Sequence, residues 1–154
     1  MAREAIPTWF FALVLVRDEE GRFLLVHERK HGGGWYLPAG RVEPGETLAE
    51  GALRETREES GVEVELLGLL RLEHRPLPDG ARVRAFFAGR PRRGSAPRAT
   101  PNEHSLGAAY FALEELERLP LRGDEVVELC RYAASGPPLL PMSMVVVEGV
   151  PVAP

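Results

Sequence analysis

The spacing of apolar and polar positions changes along the chain, and each change marks an element. Trp9 to Val16 is an unbroken apolar run, Asp18 to Gly21 is mostly charged, and Arg22 to Glu28 has an apolar centre. This pattern predicts a β-hairpin with at least one strand buried on both faces. Arg29 to Gly34 ends in three consecutive glycines and predicts a flexible loop leading into Trp35-Tyr36-Leu37-Pro38. Further strands are predicted from Val62 to about Glu73, from Arg82 to Ala88 and from Ala108 to Phe111. The first two are joined by a turn from Arg75 to Gly80, and Arg90 to Pro101, rich in Arg, Pro, Gly and Ser, predicts a long loop.

The best-marked helix follows Thr47. Thr47 and Glu50 have the spacing of a capping box, and Gly61 is a C-terminal stop. Leu48, Ala49, Ala52, Leu53 and Thr56 recur at helical spacing and predict the buried stripe, with Gly51, Glu55, Glu58 and Glu59 in an arc along its edge. Two more helices are predicted near Leu113 to Leu119 and Asp124 to Ala134. Strands and then a helix, twice over, predict an α/β (α+β) fold with a mixed sheet between helical layers. Residues 1–135 form one domain in this reading. The tail, 136–154, is Pro-rich and then apolar at Met144-Val145-Val146-Val147, a segment that is an aggregation hazard when exposed. It is therefore expected to pack on the domain or on a partner subunit, in a monomer or a homodimer.

Composition narrows the function. At 154 residues the chain can bury a core unaided, and its net charge of −4 gives no general affinity for nucleic acid. No apolar run approaches the ~20 residues of a membrane span, and a cytoplasmic location is expected. Cys130, the single cysteine, excludes an internal disulfide and sits at helical spacing with Val126, Val127 and Ala133, as a core residue would. All basic residues but Lys30 are arginine, glutamine is absent and Asn102 is the only asparagine. That bias is compatible with heat adaptation and equally with genomic base composition.

The chemistry concentrates between Gly40 and Val62. Glu55, Glu58 and Glu59 fall within about one helical turn, where like charges three and four positions apart cost a few tenths of a kcal/mol per pair even in an exposed helix. Oxygen ligands with no Cys or His among them suit a hard divalent cation, which would offset that repulsion.

Gly40, Glu46, Arg54-Glu55, Glu58-Glu59 and Gly61-Val62 stand at the spacing G-x5-E-x7-R-E-U-x-E-E-x-G-U, where U is apolar. This resembles the motif of the Nudix hydrolases, with Thr56 as the one departure, at the first U. The resemblance implies an αβα sandwich and a site for Mg²⁺ or Mn²⁺ built from Glu55, Glu58, Glu59 and the carbonyl of Ala39. It implies an orienting role for Arg54, and for Glu46 a supporting role or an additional ion to hold. It implies hydrolysis of a nucleoside diphosphate linked to another group, by water attack on phosphorus with Glu55 or Glu58 as base. A late loop acid that relatives carry has its counterpart in Glu103, beside His104, and either is a candidate for proton transfer.

For the substrate, WYLPAGRVEPGET and SLGAAYF look most like the branch acting on oxidised-guanine nucleoside diphosphates. Trp35, Tyr36 and Phe86 or Phe87 are candidates to stack a base. Arg82 and Arg84, with Arg90, Arg92 and Arg93, are candidates for distal phosphates. Pro78, 16 positions beyond Val62, stands near a marker proline of ADP-ribose pyrophosphatases. ADP-ribose and diadenosine polyphosphates are therefore alternative substrates, and a non-catalytic ligand sensor is the alternative outside enzymes.

Overall fold

The computed structural model describes residues 3–152. Strands β1 (Thr8–Val16), β4 (Ala39–Arg41), β5 (Val64–Leu77) and β6 (Gly80–Pro91) form a mixed sheet in the order β4-β1-β6-β5. β1 and β6 run parallel from Thr8 opposite Ala81 to Val16 opposite Gly89, and the other pairs are antiparallel. β2 (Phe23–Glu28), β3 (Trp35–Tyr36) and β7 (Ser105–Phe111) make a second, antiparallel sheet in the order β3-β2-β7. Helix α1 is Leu48–Ser60, a 3₁₀ helix spans Leu113–Arg118 and α2 is Glu125–Ala134.

Strand alternation divides the core in two. Leu13, Leu15 and Phe86 pack with Val126, Leu129 and Cys130 of α2, while Ala12, Val14, Val16, Ala85 and Phe87 pack with Ala52 of α1. Successive residues of β1 and β6 thus feed opposite faces, which is why Trp9 to Val16 reads as a continuous apolar run. Helices cover both faces, the expected sandwich. Among the described residues no helix is long and apolar enough to cross a membrane.

Several boundaries differ from expectation. β1 and β2 lie in different sheets, linked by an isolated antiparallel bridge from Arg17, just after β1, to Phe23. Both edges of β1 are taken, by β4 and β6, so no hairpin can form. The β5–β6 pairing runs on to Leu77 opposite Gly80, reducing the expected long turn to Pro78-Asp79; β5 is an edge strand, where Pro76 is tolerated. In α1, Leu53 is 37% exposed, and the buried positions are Gly51, Ala52, Thr56 and Ser60. Small residues hold that face because the helix lies close to the loop before it: a Cβ on Gly51 would stand 3.0 Å from Val42 Cγ2. Thr56 is accommodated there by donating its hydroxyl to the Ala52 carbonyl at 2.8 Å.

In the tail, Leu140 exchanges main-chain hydrogen bonds with Leu69 at 2.9 and 3.0 Å. Leu139 packs against the α2-side core, and Met142 and Val145 against the α1-side core. Met144, Val146 and Val147 are exposed.

Candidate active site

The site is organised around the start of α1. Thr47 Oγ1 accepts from the Glu50 amide at 3.1 Å and Glu50 Oε2 accepts from the Thr47 amide at 2.8 Å, a complete capping box. Such a cap is worth about 1 kcal/mol. Arg54 then ties the loop to the helix. Its guanidinium donates to both carboxylate oxygens of Glu46, to Glu55 Oε1 at 2.8 Å, to Glu58 Oε2 at 3.1 Å and to the Arg41 carbonyl at 3.0 Å. Glu46 also accepts from the Glu43 amide at 2.9 Å. The Arg54 hydrogen bonds, with that amide, hold Glu46 far below the ordinary carboxylate range, at about 2. Arg54 is in turn held more firmly protonated, chiefly by Glu46.

Glu55 and Glu59 face a cleft of about 470 Å³ that also receives Ala39, Gly40 and Glu28. Glu59 Oε2 accepts from the Ala39 amide at 3.0 Å, yet burial pushes its carboxyl up to about 8, with a further rise from Glu55 and Glu28. Burial raises Glu55 as well, against the pull of Arg54. Gly40 is required by contact: a Cβ there would lie 1.9 Å from Glu55 Cδ. Glu28 accepts at Oε1 from Arg122 at 2.8 Å, while its Oε2, 3.6 Å from His31 Nδ1, is buried without a hydrogen-bond partner among the described residues.

These residues suit a hard divalent cation. Among the described residues no three carboxylate, imidazole or thiol groups converge as a ready-made cage, because Arg54 and the Ala39 amide hold the acids in other hydrogen bonds. The chemistry of the donors nonetheless fits: crowded carboxylates in one cleft, one orphaned buried oxygen, and no sulfur.

The loop before β7 closes the far end of α1. Asn102 donates to the Glu58 carbonyl at 3.1 Å, and Ser105 Oγ to the Glu59 carbonyl at 2.6 Å. Arg98 reaches the same carbonyls at 3.3 and 2.9 Å. Glu103 is 87% exposed; His104 Nε2 lies 3.4 Å from it and Nδ1 lies 4.0 Å from Glu58 Oε2. Both residues line the cleft mouth.

The base-stacking and phosphate candidates separate. Phe86 and Phe87 are fully buried in opposite cores and have no face to offer a base, correcting that expectation. Trp35 stacks on His27 at 4.8 Å and meets Phe111 edge-on at 4.9 Å. Tyr36 lines the cleft; burial and its hydrogen bond to Glu125, 2.6 Å long, push its hydroxyl up to about 12. Arg84 is committed to Glu73 at 2.8 Å and to Glu125 at 3.0 Å. Arg82 and Lys30 line the cleft with no carboxylate partner among the described residues. Arg90 pairs with Glu65 at 2.8 Å, and neither it nor Arg92 and Arg93 lines the cleft.

The profile of the NUDIX domain matches residues 10–130. The chain belongs to this family. Human 8-oxo-dGDP phosphatase NUDT18 is 37% identical over 128 residues, which are 81% of this chain and 38% of that protein. NAD-capped RNA hydrolase NudC of a Salmonella strain is 31% identical over 126 residues, 77% of this chain and 48% of that one. The chain thus spans less than half the length of either relative. Among solved structures, a NUDIX hydrolase from Nitrosomonas europaea superposes with a TM-score of 0.75, covering 92% of this chain and 97% of that one at 21% identity, a likeness of fold.

In this NUDIX domain, four residues of the site receive no role from the sequence patterns that contain or adjoin them. Glu28 ends β2, Arg122 precedes α2, and Arg98 and Ser105 flank a loop whose composition signals only irregularity. Arg122 stands with its guanidinium 4.7 Å above the Tyr36 ring. Its main chain leaves no room for a side chain at Gly34, where a Cβ would lie 2.8 Å from the Arg122 nitrogen. That close approach is the one sequence-level trace, as a third consecutive glycine.

Proposed function

We propose that this NUDIX domain hydrolyses a phosphoanhydride bond in a nucleoside diphosphate linked to another group, with oxidised-guanine nucleoside diphosphates as its first candidates. The observation that carries the reading is the Glu55 carboxylate held against Gly40, in one cleft with the partly buried Glu59. Glu55, Glu58, Glu59 and the Ala39 carbonyl would hold Mg²⁺ or Mn²⁺, which when bound supplies charge neutralisation at the phosphate oxygens. Arg54 and Glu46 orient the acids. Arg82 and Lys30 take the phosphates that the ion does not reach.

The reaction consumes one water. Its oxygen bonds to phosphorus, the bridging oxygen leaves with the other fragment, and Glu55 or Glu58 takes the proton. Glu103 and His104, at the mouth, are placed to pass that proton to solvent. The guanine preference draws on the name of the human relative. ADP-ribose is less favoured, since Pro78 is accounted for by the two-residue turn between β5 and β6. The buried free thiol of Cys130 supports a reducing, cytoplasmic setting, and the arginine-rich, glutamine-free composition is compatible with heat tolerance and equally with genomic base composition.

The test is a nucleotide panel with Mg²⁺ or Mn²⁺, run in ¹⁸O-labelled water. Oxidised-guanine nucleoside diphosphates should yield the monophosphate and inorganic phosphate, with label in a phosphate product and the base intact. Free base would overturn the reading, and silence across oxidised-guanine nucleotides, ADP-ribose and dinucleoside polyphosphates would favour a ligand sensor.

A further inference from the structure

We propose that Arg98 is a positioning residue of the hydrolytic site: from outside the loop-helix motif it fixes the main chain from which Glu58 and Glu59 project. The inference rests on the reading of those glutamates as working acids.

A helix leaves its last carbonyls without intrahelical partners, and water or a C-terminal glycine ordinarily suffices for them. Gly61 already supplies the left-handed stop, at φ 78°, and its amide donates to the Arg57 carbonyl at 2.8 Å. Arg98 adds far more than a stop requires. Its amide donates to the Ser60 carbonyl at 2.7 Å. Its guanidinium donates to the carbonyls of Glu58 and Glu59, to Ser105 Oγ at 2.9 Å and to the Thr100 carbonyl at 3.0 Å. A cation at a helix C-terminus is also favoured by the helix dipole. The carbonyls it holds belong to the two glutamates at the end of the motif.

The same loop is bound to the cleft. Asn102, the chain's one asparagine, accepts at Oδ1 from the amides of His104 and Ser105 at 2.8 and 2.9 Å. Its carbonyl accepts from Arg29, which lines the cleft, at 3.0 and 2.8 Å. The end of α1, the rim at Arg29 and the pair Glu103-His104 are therefore held as one unit through Arg98 and its neighbours. Placement at this level matters for in-line chemistry, where a shift of about 1 Å in a reacting group costs on the order of a hundredfold in rate.

The experiment uses the full chain with Arg98→Met, Arg98→Lys and Ser105→Ala. It reads kcat and KM separately on the nucleotide that wild type hydrolyses fastest, and the rise in Tm on adding Mn²⁺. Arg98→Met is expected to lower kcat on the order of a hundredfold with little change in KM, and to shrink the Mn²⁺-induced rise. Arg98→Lys should recover part of both. If Arg98→Met does not fold, Ser105→Ala, which deletes one donor to the Glu59 carbonyl, should show the same two changes in smaller degree. Wild-type kcat and an undiminished Mn²⁺ response in the folded variant would overturn the proposal, whatever the loss of Tm without metal. Should wild type hydrolyse nothing on the panel, the functional reading fails, and the Mn²⁺ response alone still decides the role of Arg98.

Discussion

Gly40 and Glu55 touch: an added Cβ on Gly40 would fall 1.9 Å from Cδ of Glu55 and 2.1 and 2.4 Å from its two oxygens. The glycine is therefore a matter of space, since its φ is not among the left-handed ones. Gly40→Ala should force the Glu55 carboxylate off its seat and cut kcat by at least on the order of tenfold to a hundredfold. Far-ultraviolet circular dichroism should remain that of the wild type. A Gly40→Ala enzyme with wild-type turnover would show that Glu55 works from elsewhere.

Glu59 is partly buried beside Glu55 and Glu28, with the Ala39 amide to accept from. Without metal its folded carboxyl, raised to about 8, has to take up a proton on folding at neutral pH, a cost that Glu59→Gln removes while keeping the side chain's shape. The variant should melt at or above the wild-type temperature in the presence of a chelator, and lose that advantage when Mn²⁺ is added. Turnover should fall by several orders of magnitude. Calorimetry with and without Mn²⁺ decides it, and an equal Mn²⁺ response in both proteins would remove Glu59 from the metal site.

Glu46 gives stability a defined pH dependence. Its folded carboxyl titrates at about 2, lowered chiefly by Arg54 from an ordinary value of 4.5. A depressed carboxylate stabilises the fold above its unfolded value, and that contribution disappears as pH falls through the folded value. The Tm difference between wild type and Glu46→Gln should therefore be full at pH 7, shrink from about pH 4.5 downwards, and vanish near pH 2. A difference independent of pH would mean that Glu46 contributes by shape and not by charge.

What could be read from the sequence was what depends on neighbours in the chain. The capping box at Thr47 and Glu50 and the stop at Gly61 are local, and so is the orienting role of Arg54, although which acids it meets, at one, four and eight positions, is fixed only by the fold. Strand partnership is not local. Nothing in residues 9–28 announces that β1 will spend both edges on β4 and β6, so proximity suggested a hairpin that does not exist. Phe86 and Phe87 looked available for a base because burial on both faces of β6 is settled only when α1 and α2 are in place. Arg98 was hidden in the same way, since its partners at the end of α1 come from a separate element.

The tail offers a direct test of long-range docking. Gly68 on β5 faces Leu139 and Leu140 so closely that a Cβ would stand 2.8 Å from both Leu139 Cβ and the Leu140 oxygen. In the full chain Gly68→Ala should push the tail away from Leu69 and cost about 1–3 kcal/mol. In a chain ending at Ser135 that neighbour is gone, and alanine in a strand is no worse than glycine. The same substitution should then be neutral or mildly stabilising. The two backgrounds form a double-mutant cycle, read by urea denaturation at one pH. Equal costs in both would show that residues 136–154 do not rest on β5 in solution. A cost confined to the full chain would establish the tail as part of the domain's cover, and the truncated protein should then also lose solubility as the surface beneath Leu139 and Met142 is laid open.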